Sequence, residues 1–500
     1  MILFVCACHA PADPELIAAW YQPDRTFPEF RQLWYESWIE GPSGLTPELG
    51  GTAHVILRNG DQGPMRLLDV SVSGLSLRRA IAYSDQKLKR GLHPASFRFA
   101  DLSDDALDAL IAAGRPVWWR MDPVSVEPGG VAEAMVRLRS HPRSTPLSVD
   151  VQTSSGVLHV PVASSPPPAH IASIGIARST DTAWVYVRSE EAEVGRLVSV
   201  HVDGRDVTSR SSVFHDPALP VALVVVQLEE PLARGTFHCF TVTTDDRSTA
   251  AAGLRVFPTE LAYGVWGSQP GKASEAERAR AYLHEIAAHN INVQMPMVGS
   301  AAVREFLKTD QGQEQMQSLG IRRMISDPGK GNTRDPYAYF LVDEPDCGDW
   351  RVRGLPADEL VGSLAQSLVD RSATFRDSDP VTPHVINVDL TFKPENWYTY
   401  GQLPDILAAD PYYQPRLRDA YWEHPGRLRL FTRATWVEAI ARICHRACMP
   451  RPLHIILYAV SHRRRTPGRS PWPNTCPGCA PWAWAASRSP RSRLGSAAGG

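Results

Sequence analysis

The apolar residues of this chain change rhythm once, near Leu261, and that change constrains the fold more than any other feature. Before it, short stretches alternate apolar with polar: Ala53–Arg58, Leu67–Ser73 and Ala132–Arg139, punctuated by an N-G at Asn59 and V-E-P-G-G at Val126–Gly130. A period of two sends successive side chains to opposite faces, the pattern of strands with one buried side. Strands at this spacing, broken by turn residues, predict a β-sandwich. Asp101–Ala113 reads as a helix inserted within it. After a proline-rich hinge at Ser164–Pro168, the alternation resumes in Trp184–Arg188, Leu197–Gly204, Ala222–Leu228 and Phe237–Thr244. Asp203-Gly204 supplies a hairpin turn. A second, immunoglobulin-type sandwich is therefore expected, ending near Val256.

Beyond Leu261 strand-like runs alternate with helical ones. L-A-Y-G-V-W-G is followed by a helix capped at Ser274 with Glu277 completing the capping box. Then come I-N-V-Q-M-P, a helix over Ala301–Ser318, I-R-R-M-I-S-D-P and Y-F-L-V-D-E-P. A helix over Ala357–Arg376, H-V-I-N-V-D, D-I-L-A-A-D-P-Y-Y, a helix over Ala434–Cys448 and a strand over Leu453–Val460 complete the series. Strands alternating with helices imply a parallel sheet. The number of repeats, with no glycine-rich phosphate loop, predicts a (β/α)8 TIM-type barrel, incomplete at its C-terminus. The expected organisation is an N-terminal segment at 1–49, a β-sandwich at 50–163, an Ig-like sandwich at 169–257, the barrel at 259–462 and a tail at 463–500.

Charge and composition remove several function classes. The net charge is -2 with no long basic block before the tail, so nucleic acid is not an expected partner. No run is apolar enough to span a bilayer, so no integral membrane segment is expected. The start M-I-L-F-V-C-A-C-H-A lacks a positive leader and reads equally as a signal remnant, which would imply export or an envelope location, as the product of a miscalled start codon, or as a buried first strand. Cys444, Cys448, Cys476 and Cys479 imitate the order of a zinc ribbon, but spacing alone is a weak signal, and no metal or other cofactor is expected. After His462 the chain is crowded with Arg, Ser and Pro, as in a disordered basic tail or an out-of-frame translation.

The most informative motif is Tyr339–Asp346, Y-F-L-V-D-E-P-D. A buried strand should stop at Glu344, because Pro345 cannot donate a ladder hydrogen bond. Asp343 and Glu344 then sit at an open strand end, where barrel enzymes keep their chemistry. Alternatively, Asp343 or Asp346 merely caps the following helix. The same face would gather Trp266, Gln294, Asp327, Asn387, Asp389, Asp410, Tyr412 and Tyr413. Carboxylates, amides and aromatic rings in one cleft suit a carbohydrate partner. No His/Asp spacing suggests a metal, and Cys347 has no evident His partner.

Two sandwich modules ahead of a region carrying Y-F-L-V-D-E-P-D and D-P-Y-Y (Asp410–Tyr413) resemble glycoside hydrolase family 123 and its uncharacterised relatives. The resemblance covers Leu261–Val460 well and the sandwiches in outline. It implies hydrolysis of N-acetyl-β-hexosaminides of the galactosaminide type, with the substrate's acetamido group as nucleophile. Glu344 would be the general acid/base, and Asp343 would orient the acetamido group and stabilise the oxazolinium ion. Substrate-assisted glycosidases depart from the usual pair of flanking carboxylates, which fits two adjacent acids. The alternative is a non-catalytic carbohydrate-binding or cell-surface protein on a degenerate glycosidase scaffold.

Overall fold

A computed structural model of the chain describes residues 13–25, 49–98, 102–143, 146–189, 194–215, 220–265, 276–295, 301–328, 333–389, 395–410 and 433–456. It contains two compact units, one formed by the chain up to Leu261 together with Ala338–Ile456, the other containing Ala262–Tyr337.

The first unit begins with strands β1 (Glu15–Pro23), β2 (Gly51–Arg58), β3 (Met65–Val72), β4 (Pro116–Asp122), β5 (Val131–Leu138), β6 (Leu147–Thr153) and β7 (Val157–Val162). One antiparallel sheet has the order β1-β2-β5-β4, and the facing sheet contains β7-β6-β3. Val55, Leu57, Val70, Val136, Val149 and Val151 are among the residues of their shared core. β1 lies inside the segment read as a possible signal remnant, and it pairs along its whole length with β2. Helix α1 (Asp104–Ala112) is the expected insertion, capped by Ser103, whose side chain accepts from the Ala106 N–H.

The second sandwich consists of β8 (Ala169–Ile176), β9 (Thr182–Ser189), β10 (Leu197–Val202), β11 (Ser211–His215), β12 (Val221–Gln227), β13 (Phe237–Thr244) and β14 (Thr249–Arg255). Its sheets, β8-β9-β12-β11 and one containing β10-β13-β14, enclose a core rich in Val and Ile.

The sheet β1-β2-β5-β4 departs from the expected alternation of buried and exposed residues. Every residue of β4 and β5 is buried. The face turned away from the sandwich core carries Trp118, Arg120, Asp122, Glu133 and Arg137, and it is covered by the rest of the unit. Ile56 and Val131 pack with Phe237 and Cys239 of the second sandwich. Trp118 Nε1 donates to Thr399 O at 2.7 Å, and an Arg120 guanidinium N–H donates to Leu403 O at 2.9 Å. Asp122 pairs with Arg255 on β14 and lies 3.7 Å from Arg376. Burial alone would raise the Asp122 carboxyl pKa, but Arg255 and Arg376 overcome it and hold the group far below the carboxylate range.

In the second unit, β15 (Gly264–Val265), β16 (Val293–Gln294) and β17 (Arg322–Ile325) are parallel, with helices α2 (Ala276–Ala288), α3 (Ala301–Phe306) and α4 (Asp310–Ser318) between them. In the first unit, β18 (Ala338–Asp343), β19 (His384–Val388), β20 (Ile406–Ala409) and β21 (Leu453–Ile455) are parallel. Their helices are α5 (Pro345–Asp349), α6 (Ala365–Ser378), α7 (Glu395–Gly401) and α8 (Arg433–Cys448).

The expected (β/α)8 barrel is therefore corrected. Seven parallel strands are described, three in one unit and four in the other, where a closed eight-stranded barrel needs one more. The βα alternation correctly indicated parallel strands, but it carries no information on closure, which depends on strand number, tilt and stagger together. No helix among the described residues is long and apolar enough to cross a membrane. Ser274, the tail after His462, and Cys476 with Cys479 lie outside the described residues. Cys444 and Cys448 are both buried.

Candidate active site at the ends of the parallel strands

The apolar run Ala338–Val342 is fully buried, and the strand stops at Asp343. Pro345 occupies the first turn of α5, and Glu344 is left between strand and helix with φ 50 and ψ 62. A non-glycine residue in this left-handed region costs on the order of 1–3 kcal/mol. The turn is fixed by the Glu344 N–H, which donates to Asn387 O at 2.8 Å. Glu344 occupies the cap position of α5 without a side-chain capping bond. Neither Asp343 nor Asp346, the residues of the capping alternative, holds that cap position.

The two carboxylates have different surroundings. Asp343 Oδ1 accepts from Asn387 Nδ2 at 3.0 Å, across the β18–β19 register that pairs the two residues. Lys89 Nζ, from the loop of the first sandwich, donates to the Asp343 carbonyl at 2.5 Å and lies 3.4 Å from Oδ2. Its neighbour Arg90 donates to the carbonyls of Phe340 at 2.7 Å and Leu341 at 3.3 Å, anchoring this loop to β18. Glu344 instead joins Cys347 and Asp389, with one potential ligand atom from each lying within 4.8 Å of the others. The Cys347 thiol donates to Asp389 Oδ2 at 2.9 Å. This carboxylate–thiol–carboxylate trio is chemically able to hold a cation, although no histidine completes it among the described residues.

Beneath this trio is Asp346, fully buried. Its carboxylate accepts from the Asp389 N–H at 3.1 Å and from Asn396 Nδ2 at 2.7 Å. Burial, then the charge of Asp389 and that of Glu344, push its pKa well above the usual carboxylate range. Asp346 therefore ties the loop after β19 to α5 and α7. Trp397 Nε1 adds a bond to Asp389 O at 2.9 Å.

Among the residues singled out from sequence, Asp343, Glu344, Asn387 and Asp389 come together here. Asp410 directly follows β20, beside Asp389 in the register that pairs Val388 with Ala409, and it is buried. Asn387 is also fully buried, and its Oδ1 has no hydrogen-bond partner among the described residues. Gln294 and Asp327 belong to the other unit. Gln294 is buried with its amide engaged by Tyr282 and by Met295 O, while Asp327 is half-buried after β17. Trp266, Tyr412 and Tyr413 lie outside the described residues.

No family model matches this chain, and no curated protein matches it. Among solved structures, the archaellum periplasmic stator protein complex FlaF and FlaG from Sulfolobus acidocaldarius is 13% identical, covering 18% of this chain and 90% of that one, with a TM-score of 0.16. SGBP-B from a complex xyloglucan utilization locus in Bacteroides uniformis is 13% identical over 48% of each chain, with a TM-score of 0.15. The titin domains z1z2 in complex with telethonin are 12% identical, covering 42% and 89%, with a TM-score of 0.13. Likenesses this slight carry no argument about fold or function.

Sequence reasoning missed Lys89, Arg90, Asn396 and Trp397 as parts of this site, and it noted Cys347 only as a thiol without a His partner. The loop S-D-Q-K-L-K-R-G at Ser84–Gly91 is a cluster of charge inside an otherwise alternating module. That cluster was the available signal for Lys89 and Arg90.

Proposed function

We propose that this chain is a glycoside hydrolase acting on N-acetyl-β-hexosaminides, with Glu344 as general acid/base and Asp343 as the residue that orients the acetamido group. The observation that carries the reading is the contrast between two adjacent acids at one strand end. Asp343 is held by Asn387 and Lys89, whereas Glu344, itself in the left-handed region, reaches an acidic neighbourhood with Asp389.

A carboxylate offers about four lone-pair sites. Asn387 and Lys89 leave room on Asp343 for an acetamido N–H. Drawing that N–H towards Asp343 aims the acetamido oxygen at the anomeric carbon. As the new C–O bond forms and the glycosidic bond breaks, Glu344 gives its proton to the departing oxygen. The positive charge of the oxazolinium ion rests beside Asp343. Water then attacks the anomeric carbon, Glu344 takes a proton from it, and the acetamido group is restored with retained configuration.

The test is hydrolysis of aryl N-acetyl-β-galactosaminide and glucosaminide by the wild-type protein and two variants. E344Q should lower kcat by about 100- to 10,000-fold. D343N should also lower kcat, with less effect on aryl glycosides that lack the acetamido group. Wild-type protein that is folded and cleaves neither substrate overturns the reading. Glycan binding without turnover would favour a sugar-binding protein instead.

A further inference from the structure

We infer that the substrate is an anionic glycan, carrying sulfate or carboxylate groups on sugars next to the N-acetylhexosamine, and that a basic cleft beside Asp343 receives them. The inference deepens the glycosidase reading and depends on it for the link to catalysis.

An open cleft is lined by Gln86 and Leu88 from the sandwich loop and by Trp350, Arg351, Val352 and Arg353 from the chain after α5. Both walls lead to the candidate site. Leu88 precedes Lys89, whose Nζ bonds to the Asp343 carbonyl. Trp350 closes α5, the five-residue helix that Glu344 begins. At a rise of about 1.5 Å per residue, that helix separates cleft and acid by roughly one sugar ring.

The cleft is held in place from both sides. Gln86 Nε2 donates to Arg351 O at 2.9 Å, and Gln86 Oε1 accepts from the Arg353 N–H at 3.0 Å. One amide thus fixes the backbone on either side of buried Val352, while Arg351 and Arg353 remain exposed. Neither guanidinium has a carboxylate partner among the described residues. Lys87 is exposed too, and Asp85 is the only acid in Ser84–Gly91. Lys89 and Arg90 are already engaged with β18, so Arg351 and Arg353 leave the cleft lining, which contains no acid, with an excess of positive charge beside a carboxylate site. Positive charge here attracts an anionic ligand and also offsets its repulsion by Asp343, Glu344 and Asp389. Trp350, half-buried on the same wall, gives a pyranose ring a flat apolar surface.

Calorimetric titration of the full chain provides the test, with four probes: a chondroitin sulfate hexasaccharide, its desulfated form, chitohexaose, and dextran sulfate. Wild-type protein should bind the sulfated hexasaccharide about tenfold or more tighter than chitohexaose at low salt, and the difference should shrink as salt is raised. R351S/R353S should remove that preference, and R351E/R353E should reverse it. The desulfated hexasaccharide, which keeps its carboxylates, tells which anionic group is read. Equal affinity for chitohexaose, tightest binding to dextran sulfate, or a preference untouched by R351S/R353S overturns the inference. Selective binding without aryl-glycoside hydrolysis removes the catalytic reading and leaves this one standing. Hydrolysis without selectivity does the opposite.

Discussion

Asp343 and Glu344 could be read from the sequence because the cause of their position is local: an apolar strand must stop where proline removes a donor. Lys89 could not be read as their partner, since it lies 254 residues from Asp343 in the chain. Only the packing of two modules joins them. The left-handed turn at Glu344 was equally hidden, because glutamate has no preference for it and the bond to Asn387 O enforces it. His384 shows another effect of packing. It is fully buried on β19 with Nδ1 2.7 Å from Ser372 Oγ. Burial, reinforced by Arg376, lowers its pKa from 6.5 to about 3. Between those values the unfolded chain binds a proton that the folded chain refuses. Stability therefore falls as pH drops through that window and is insensitive to this group above it. H384Q should flatten the dependence of unfolding free energy on pH between neutrality and about pH 4, as measured in urea. An unchanged slope would mean that other groups set the acid lability.

At the scale of elements, period and turn chemistry located the long strands well and misjudged the helices. Ala301–Ser318 read as continuous, but Thr309 starts a new helix by accepting from the Gly312 N–H at 3.1 Å. Ala357–Arg376 likewise divides into Ala357–Leu360 and α6. Gly362, between them, has φ 78, and a Cβ there would lie 2.6 Å from Thr399 Cγ2 and 2.7 Å from Val117 Cγ1. The glycine is what lets this connection pass between β4 of the sandwich and α7. G362A combines a disfavoured backbone with overpacking and should cost about 1–3 kcal/mol. Thermal unfolding would show this as a lowered midpoint; an unchanged midpoint would show that the joint is looser than these distances imply.

At the scale of the molecule, the sequence showed two sandwiches and a parallel αβ region but not how they combine. The first sandwich is joined to Ala338–Ile456 through a buried, partly charged face, and no pattern of period two could distinguish that face from a solvated one. Trp118 is the largest fully buried side chain on it. W118A should destabilise the protein by about 3–5 kcal/mol. It should also weaken any activity at Asp343, because it loosens the module that carries Lys89. Denaturant unfolding followed by tryptophan fluorescence and by far-ultraviolet dichroism measures the first effect; a loss below about 1 kcal/mol would show that the face is not cohesive.

The polarity of that face has a consequence during synthesis. The sandwich is complete once Val162 has been made, whereas the part of its cover that carries Thr399 and Leu403 belongs to the segment that starts at Ala338. At about 5–20 residues per second, the face waits roughly 10–40 s for its cover. An apolar surface exposed for so long would invite association with neighbouring nascent chains. Arg120 and Asp122 can instead remain hydrated on the ribosome until Leu403, Arg255 and Arg376 arrive, while Glu133 and Arg137 already have His54 and Asp24 as partners within the early chain.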